Sequence, residues 1–153
     1  MGKPRWLNER EARVWQQYRD LKRDLQSAQD NQLLRDSGLS GAEYALLAPI
    51  SETPDGVMRS RELGQAAGWE RSRLSHQISR MEKRGLVVRE ECYEDARGAM
   101  VRLTPAGRAA IEAAAPQHVE TVRRYFFDPL SSEEVELLGT LFGRMLAALA
   151  KGE

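Results

Sequence analysis

Apolar residues in the first part of the chain return at helical intervals. Trp15, Tyr18, Leu21, Leu25 and Ala28 lie three or four positions apart, on one face of a long helix running from Trp6 to about Leu34. That stripe is longer than a short domain usually spends on its first helix, and it offers a partner surface. A second start follows at Leu39-Ser40-Gly41-Ala42-Glu43-Tyr44. Ser40 and Glu43 have the spacing of a reciprocal capping box, and Leu39 and Tyr44 flank them as a hydrophobic staple. This second helix is predicted to end near Pro49, because the residue before a proline is disfavoured in the α conformation. Thr53-Pro54-Asp55-Gly56 then reads as a turn.

Arg59 to Ala67 forms a short third helix closed by Gly68. In the next segment, Arg71 to Arg84, the residues Leu74, Ile78 and Met81 share a face, and Gly85 ends it. Two short helices around a tight Gly-containing turn make a helix-turn-helix candidate. Leu86 to Glu91 and Ala99 to Leu103 follow as two short strands joined through the turn-prone Tyr93 to Gly98, a hairpin. Thr104 and Pro105 open the next helix as cap and first residue. Its apolar positions Ile111, Ala115, Val119, Val122 and Phe126 pass Pro116, where a kink is expected, and Asp128-Pro129 breaks it. Ser131 and Glu134 cap a last helix with Leu138, Phe142, Met145 and Leu149 on one side. The expected class is mainly α (α+β), in the order α-α-α-α-β-β-α-α, divided as 1–38, 39–108 and 109–153.

Composition narrows the classes. A chain of 153 residues with 41% apolar and 30% charged residues reads as one soluble domain with helical extensions. A single cysteine, Cys92, excludes an internal disulfide framework and a cysteine-cluster metal site. No run reaches the length needed to cross a bilayer, and neither a signal-peptide core nor a myristoylation pattern is present at the start, so a cytoplasmic protein is expected. The 23 basic and 23 acidic residues cancel, which at first argues against nucleic acid. Their distribution reverses that argument. Residues 57–108 carry 11 basic and 7 acidic side chains, a local charge of +4, and the remainder of the chain carries −4. Phosphate contact depends on the local field.

The segment Arg71 to Arg84 holds five basic residues against Glu82 alone. Turning Leu74, Ile78 and Met81 inward is expected to turn Arg73, His76, Gln77, Arg80 and Arg84 outward. That face offers guanidinium forks for guanine, an amide for adenine, and hydroxyls from Ser72, Ser75 and Ser79 for phosphates or bases. Arg97, at the predicted hairpin tip, suits a minor groove, and Asp95 could hold its guanidinium.

The run Arg61-Glu62-Leu63, Ala67-Gly68-Trp69, Ser72-Arg73-Leu74-Ser75, Ile78 to Val87, Asp95-Ala96-Arg97 and Val101 to Gly107 resembles the MarR family of bacterial transcription regulators. The specific signature covers about residues 61–107, and the flanking helices match the family's architecture over nearly the whole chain. The resemblance implies a winged helix-turn-helix and a homodimer whose N- and C-terminal helices interlock. Carried over by position, Arg97 would enter the minor groove, supported by Asp95, and Ser72, Arg73, Ser75, His76, Gln77 and Arg80 would face the major groove or its phosphates. Ala96 stands where many members have a second arginine, and Tyr93 where a proline is common.

A winged helix needs little extra covering, so Leu138, Phe142, Met145 and Leu149 are expected to form an intermolecular bundle. Two-fold symmetry then predicts a pseudo-palindromic operator with half-sites about one helical turn apart. The resemblance also implies a small anionic aromatic effector held beside the dimer helices, with Trp15, Tyr18 and Tyr44 as candidate contacts. Cys92 reads as strand-end filler, because the peroxide-sensing cysteine of some relatives lies in the first helix. His76 and His118 stand apart, with no paired ligand spacing and no Gly-rich phosphate loop, so neither an enzyme, a metal nor a cofactor is expected. The expected function is a duplex-DNA-binding regulator, most simply a repressor. The alternative is a winged-helix module for protein–protein association without an operator of its own.

Overall fold

A computed structural model describes residues 2–91 and 98–152. The chain divides into two compact units, residues 1–118 and 119–153.

In the first unit, α1 spans Glu9–Ser37 and starts later than the apolar stripe implies, because Asn8 and Glu11 form a capping box there. Only its C-terminal turns enter the core, through Gln32 and Leu33, while Val14, Trp15, Tyr18 and Leu21 stay largely exposed. The second helix, α2 (Gly41–Ser51), carries the expected Ser40–Glu43 box. It continues two residues beyond Pro49 instead of stopping there. Proline removes one backbone donor, and complete burial of Leu46, Leu47 and Ile50 in the same helix outweighs that loss.

An additional strand, β1 (Val57–Arg59), precedes α3 (Ser60–Ala67), so the order is α-α-β-α-α-β-β-α-α. Three residues are too few for an alternating pattern to show, and β1 exists by pairing with a distant segment. The helix α4 (Arg71–Lys83) leads through Gly85 into β2 (Val87–Glu91), and β3 is Ala99–Leu103. All three strands are antiparallel in the order β1-β3-β2, with Met58 opposite Val101 and Val87 opposite Leu103. Leu33, Leu39, Leu46, Leu47, Ile50, Leu63, Leu74, Ile78, Met81, Val87, Val101 and Ile111 make one continuous core.

Helix α5 (Pro105–Val122) opens on Thr104, whose Oγ1 accepts the Gly107 N–H at 2.9 Å. A Cβ at Gly107 would come within 2.0 Å of the Leu86 carbonyl oxygen, so this helix docks where only glycine fits. Pro116 lies inside α5 without ending it. In the second unit a wider π-type turn, Arg123–Phe127, runs up to Asp128, and α6 (Ser132–Lys151) begins under a Ser131–Glu134 capping box. No residue of α6 is buried. Among the described residues no helix is long and apolar enough to cross a membrane.

Candidate nucleic-acid interface

The helix-turn-helix is built from short-range chemistry. Gly68 takes φ +71°, a left-handed conformation that costs glycine little, and its N–H reaches the Gly64 carbonyl. Trp69 donates its own N–H to the same carbonyl at 2.9 Å. Glu70 then caps α4, its Oε1 accepting the Ser72 N–H at 3.0 Å. That hydrogen bond to the Ser72 backbone is the main reason the Glu70 carboxyl sits below the usual carboxylate range. Away from the stripe of Leu74, Ile78 and Met81, α4 exposes Ser72, Arg73, Ser75, His76, Arg80 and Lys83, and Arg71 is exposed in its first turn.

Two expected members of that face are placed otherwise. Gln77 is only 6% exposed, and its Oε1 accepts from Arg80 Nη2 at 2.7 Å. The amide expected to meet adenine is therefore directed inward, where its job is to steer Arg80. At 100° per residue, Gln77 lies at the edge of the apolar stripe, about 40° from Met81 and about 60° from Leu74 on the helix wheel, close enough to the core to be drawn in. Arg84, expected to point outward, is exposed but engaged: its guanidinium ion-pairs with Glu43 and reaches the Gly38 carbonyl. Glu43 is 4% exposed and also closes the α2 capping box, so a buried carboxylate claims the arginine.

The orientation of α4 depends on a residue that sequence patterning missed. Arg89 of β2 donates from Nη1 to Glu82 Oε1 at 2.7 Å and to Ser79 Oγ at 3.0 Å. Its Nη2 reaches the Ser75 carbonyl at 2.7 Å and Ser75 Oγ at 3.2 Å, while its backbone N–H meets Glu82 Oε2 at 3.0 Å. Ser75 and Ser79, read as donors to DNA, thus hold the helix to the sheet. Strand parity carried the signal: Arg89 is two residues from the fully buried Val87 and shares its face, so its charge needs partners. A second pair, Arg102 with Glu90, bridges β3 and β2 at 3.1 Å between Nη2 and Oε2 and holds Glu90 below its ordinary range. Asp95, Arg97 and Cys92 lie outside the described residues.

Arg73 has a different surrounding. Its guanidinium carbon sits 4.1 Å from the centroid of the Trp69 ring, and no ion pair among the described residues engages it. Trp69 is half-buried and packs against the core.

The aromatic candidates do not converge. Trp15 and Tyr18 stack at 5.3 Å and line an open groove of about 450 Å³ with Arg19, Lys22 and Arg23. Tyr44 is not part of it; its ring packs instead on that of His118, centroids 4.1 Å apart. Burial pushes the Tyr44 phenol up, with Glu52 adding to the effect. Leu138 is partly buried, whereas Phe142, Met145 and Leu149 are exposed, as are Leu137 and Leu146. Among the described residues no three His, Cys, Asp or Glu side chains gather as a metal site.

Comparison with known proteins places this geometry. The sequence profile of the MarR family matches residues 37–98. The transcriptional regulator HosA of Escherichia coli is 34% identical over 108 residues, covering 71% of this chain and 78% of HosA. AbsC, a MarR family transcriptional regulator from Streptomyces coelicolor, superposes with a TM-score of 0.90 at 35% identity, covering 98% of this chain and all of AbsC. Sco3205, a MarR family transcriptional regulator from the same organism solved in complex with DNA, gives 0.89 at 39% identity over 96% of this chain and 91% of its own. An exposed basic helix, a capped turn before it and an antiparallel sheet behind it, with this degree of identity across nearly the full length, identify the chain as a member of the MarR family of winged-helix transcriptional regulators.

Proposed function

We propose that the protein is a homodimeric regulator that binds pseudo-palindromic duplex DNA with one winged helix per subunit and represses transcription from the promoter it covers. The observation that carries this reading is the exposed basic face of α4, mounted on a fold 39% identical to Sco3205, which was solved in complex with DNA. In this reading Ser72, Arg73, His76 and Arg80 approach the major groove. Arg97, supported by Asp95, enters the minor groove beside it. Residues 39–108 form the DNA-binding lobe, and 1–38 and 109–153 supply the dimerisation helices. A regulator of this kind acts where the bacterial chromosome lies, in the cytoplasm.

Dimerisation is supported by α6, a capped helix of 20 residues whose Leu137, Phe142, Met145, Leu146 and Leu149 side chains are exposed in the single chain. The stacked Trp15 and Tyr18, flanked by Arg19, Lys22 and Arg23, have the chemistry to hold a small anionic aromatic effector. Such a ligand would release DNA by favouring a spacing of the two reading heads that no longer fits the half-sites.

Fluorescence anisotropy with duplexes from the gene's own promoter, over a range of salt, tests the reading. Binding is expected to weaken steeply, with log K falling linearly in log salt and a slope near −0.9 for each phosphate neutralised. Arg97→Ala is expected to weaken binding, most for A·T-rich flanks. A protein that binds no duplex above background at low salt would instead support the protein–protein module.

A further inference from the structure

We propose that Arg73 reads a guanine in each half-site, and that Trp69 is the positioning residue that holds its guanidinium ready to do so. The inference rests on the DNA-binding reading above and assigns the base specificity of that site.

The basic side chains around α4 divide by what they touch. Arg84 is held by Glu43, Arg89 by Glu82, Ser75 and Ser79, and Arg80 donates to the buried Gln77. Arg73 stands in the first turn of α4, is exposed, and rests on an aromatic ring. The first turn is the part of a helix inserted in a major groove that meets base edges.

Stacking has a geometric consequence. A guanidinium binds an aromatic ring through its flat face, leaving its in-plane N–H fork free. Guanine is the base that presents two acceptors, O6 and N7, side by side on the major-groove edge. Adenine places a donor where O6 would be, and donor would then face donor. A fork held by its face is thus matched to guanine and mismatched to adenine. Rotamer freedom that a solvated arginine loses on binding is already reduced in the free protein. The platform itself is anchored, because Trp69 packs on the core and its backbone N–H is tied to the Gly64 carbonyl.

The experiment uses the full chain. Duplexes are selected from a randomised library with the wild type, and the selected duplex and its single-base-pair variants are then titrated by anisotropy at several salt concentrations. The same titrations follow for Arg73→Ala, Trp69→Leu and Trp69→Phe, with thermal melting confirming that each variant folds. In the wild type, exchanging one G·C for A·T in each half-site is expected to cost about 10- to 100-fold in affinity. Arg73→Ala should erase that discrimination at the one pair and retain it elsewhere. Trp69→Leu should reduce discrimination at the same pair, and Trp69→Phe, which restores a ring, should recover most of it.

An Arg73→Ala variant that weakens every duplex equally, with the salt slope reduced by about one, would make Arg73 a phosphate contact and overturn the proposal. Trp69→Leu leaving the pattern intact, or flattening it at all positions alike, would overturn the positioning role. A wild type that selects no duplex overturns the DNA-binding reading and this inference with it, whereas the other two failures leave DNA binding standing.

Discussion

His118 packs its imidazole on the Tyr44 ring, and its Nδ1 is buried without a hydrogen-bond partner. Burial disfavours the imidazolium and lowers the pKa below the ordinary imidazole value of about 6.5. The sign follows from proton counts. As pH falls below about 6.5 the unfolded chain takes up a proton that the folded chain refuses, so stability declines with acidification until the folded imidazole also titrates. Urea unfolding between pH 7.5 and 5 is therefore expected to show a smaller loss of stability in His118→Gln than in the wild type. Equal losses in both proteins would remove His118 as a source of the pH dependence. Glu43 shows a different solution for a buried ionisable group, since its carboxyl is paired with the Arg84 guanidinium, whose side chain stays 51% exposed. Helical periodicity placed Arg84 in the right register and could not say which acid, 41 residues away in sequence, would claim it.

At the scale of elements, the orientation of α4 on the sheet rests on Arg89. Its pair with Glu82 is about one-third exposed on each side, so solvent screens it only in part. Hydrogen bonds to charged groups in such settings are worth about 2 kcal/mol. Arg89→Ala is expected to destabilise the fold by roughly that amount in urea titration. Glu82→Gln in the Arg89→Ala background should add little, because the two side chains share one interaction. Full additivity would show that they act independently. The elements themselves were largely legible: the Ser40–Glu43 and Ser131–Glu134 boxes, the Gly68 turn and the Thr104 cap are local, and each occurs where the sequence predicts it. The misreadings share one cause. Pro49 lies within a continuous helix, and β1 appears where no strand is predicted, because packing and β3 pairing over long sequence separations override local preference.

For the whole molecule, the proposed homodimer follows from apolar surface that a single chain leaves in water. Leu146 and Leu149 of α6 are 65% and 69% exposed, and Met145 is 59% exposed. Sedimentation equilibrium at micromolar concentration is expected to give twice the mass of the chain. Met145→Glu combined with Leu149→Glu should shift it toward monomer, each interfacial carboxylate weakening association by about tenfold or more. A wild type that sediments as a monomer would refute the dimer. Such a dimer would also explain how a chain of zero net charge can bind DNA, since two reading heads of local charge +4 would share one two-fold axis.

The sequence by itself determined the caps at Ser40, Thr104 and Ser131, the helix-turn-helix, the hairpin strands and the uneven distribution of charge. These depend on interactions within a few residues or on composition alone. The tertiary structure decided which polar side chains of the basic helix remain available. Gln77 turned inward, Arg84 went to Glu43, Ser75 and Ser79 went to Arg89, and Arg73 came to rest on Trp69. Periodicity assigns a side chain to a face, but long polar side chains reach several ångströms beyond it. Where their polar ends settle is set by the partners that folding brings within reach, some near in sequence, as Trp69 is to Arg73, and some far, as Glu43 is to Arg84.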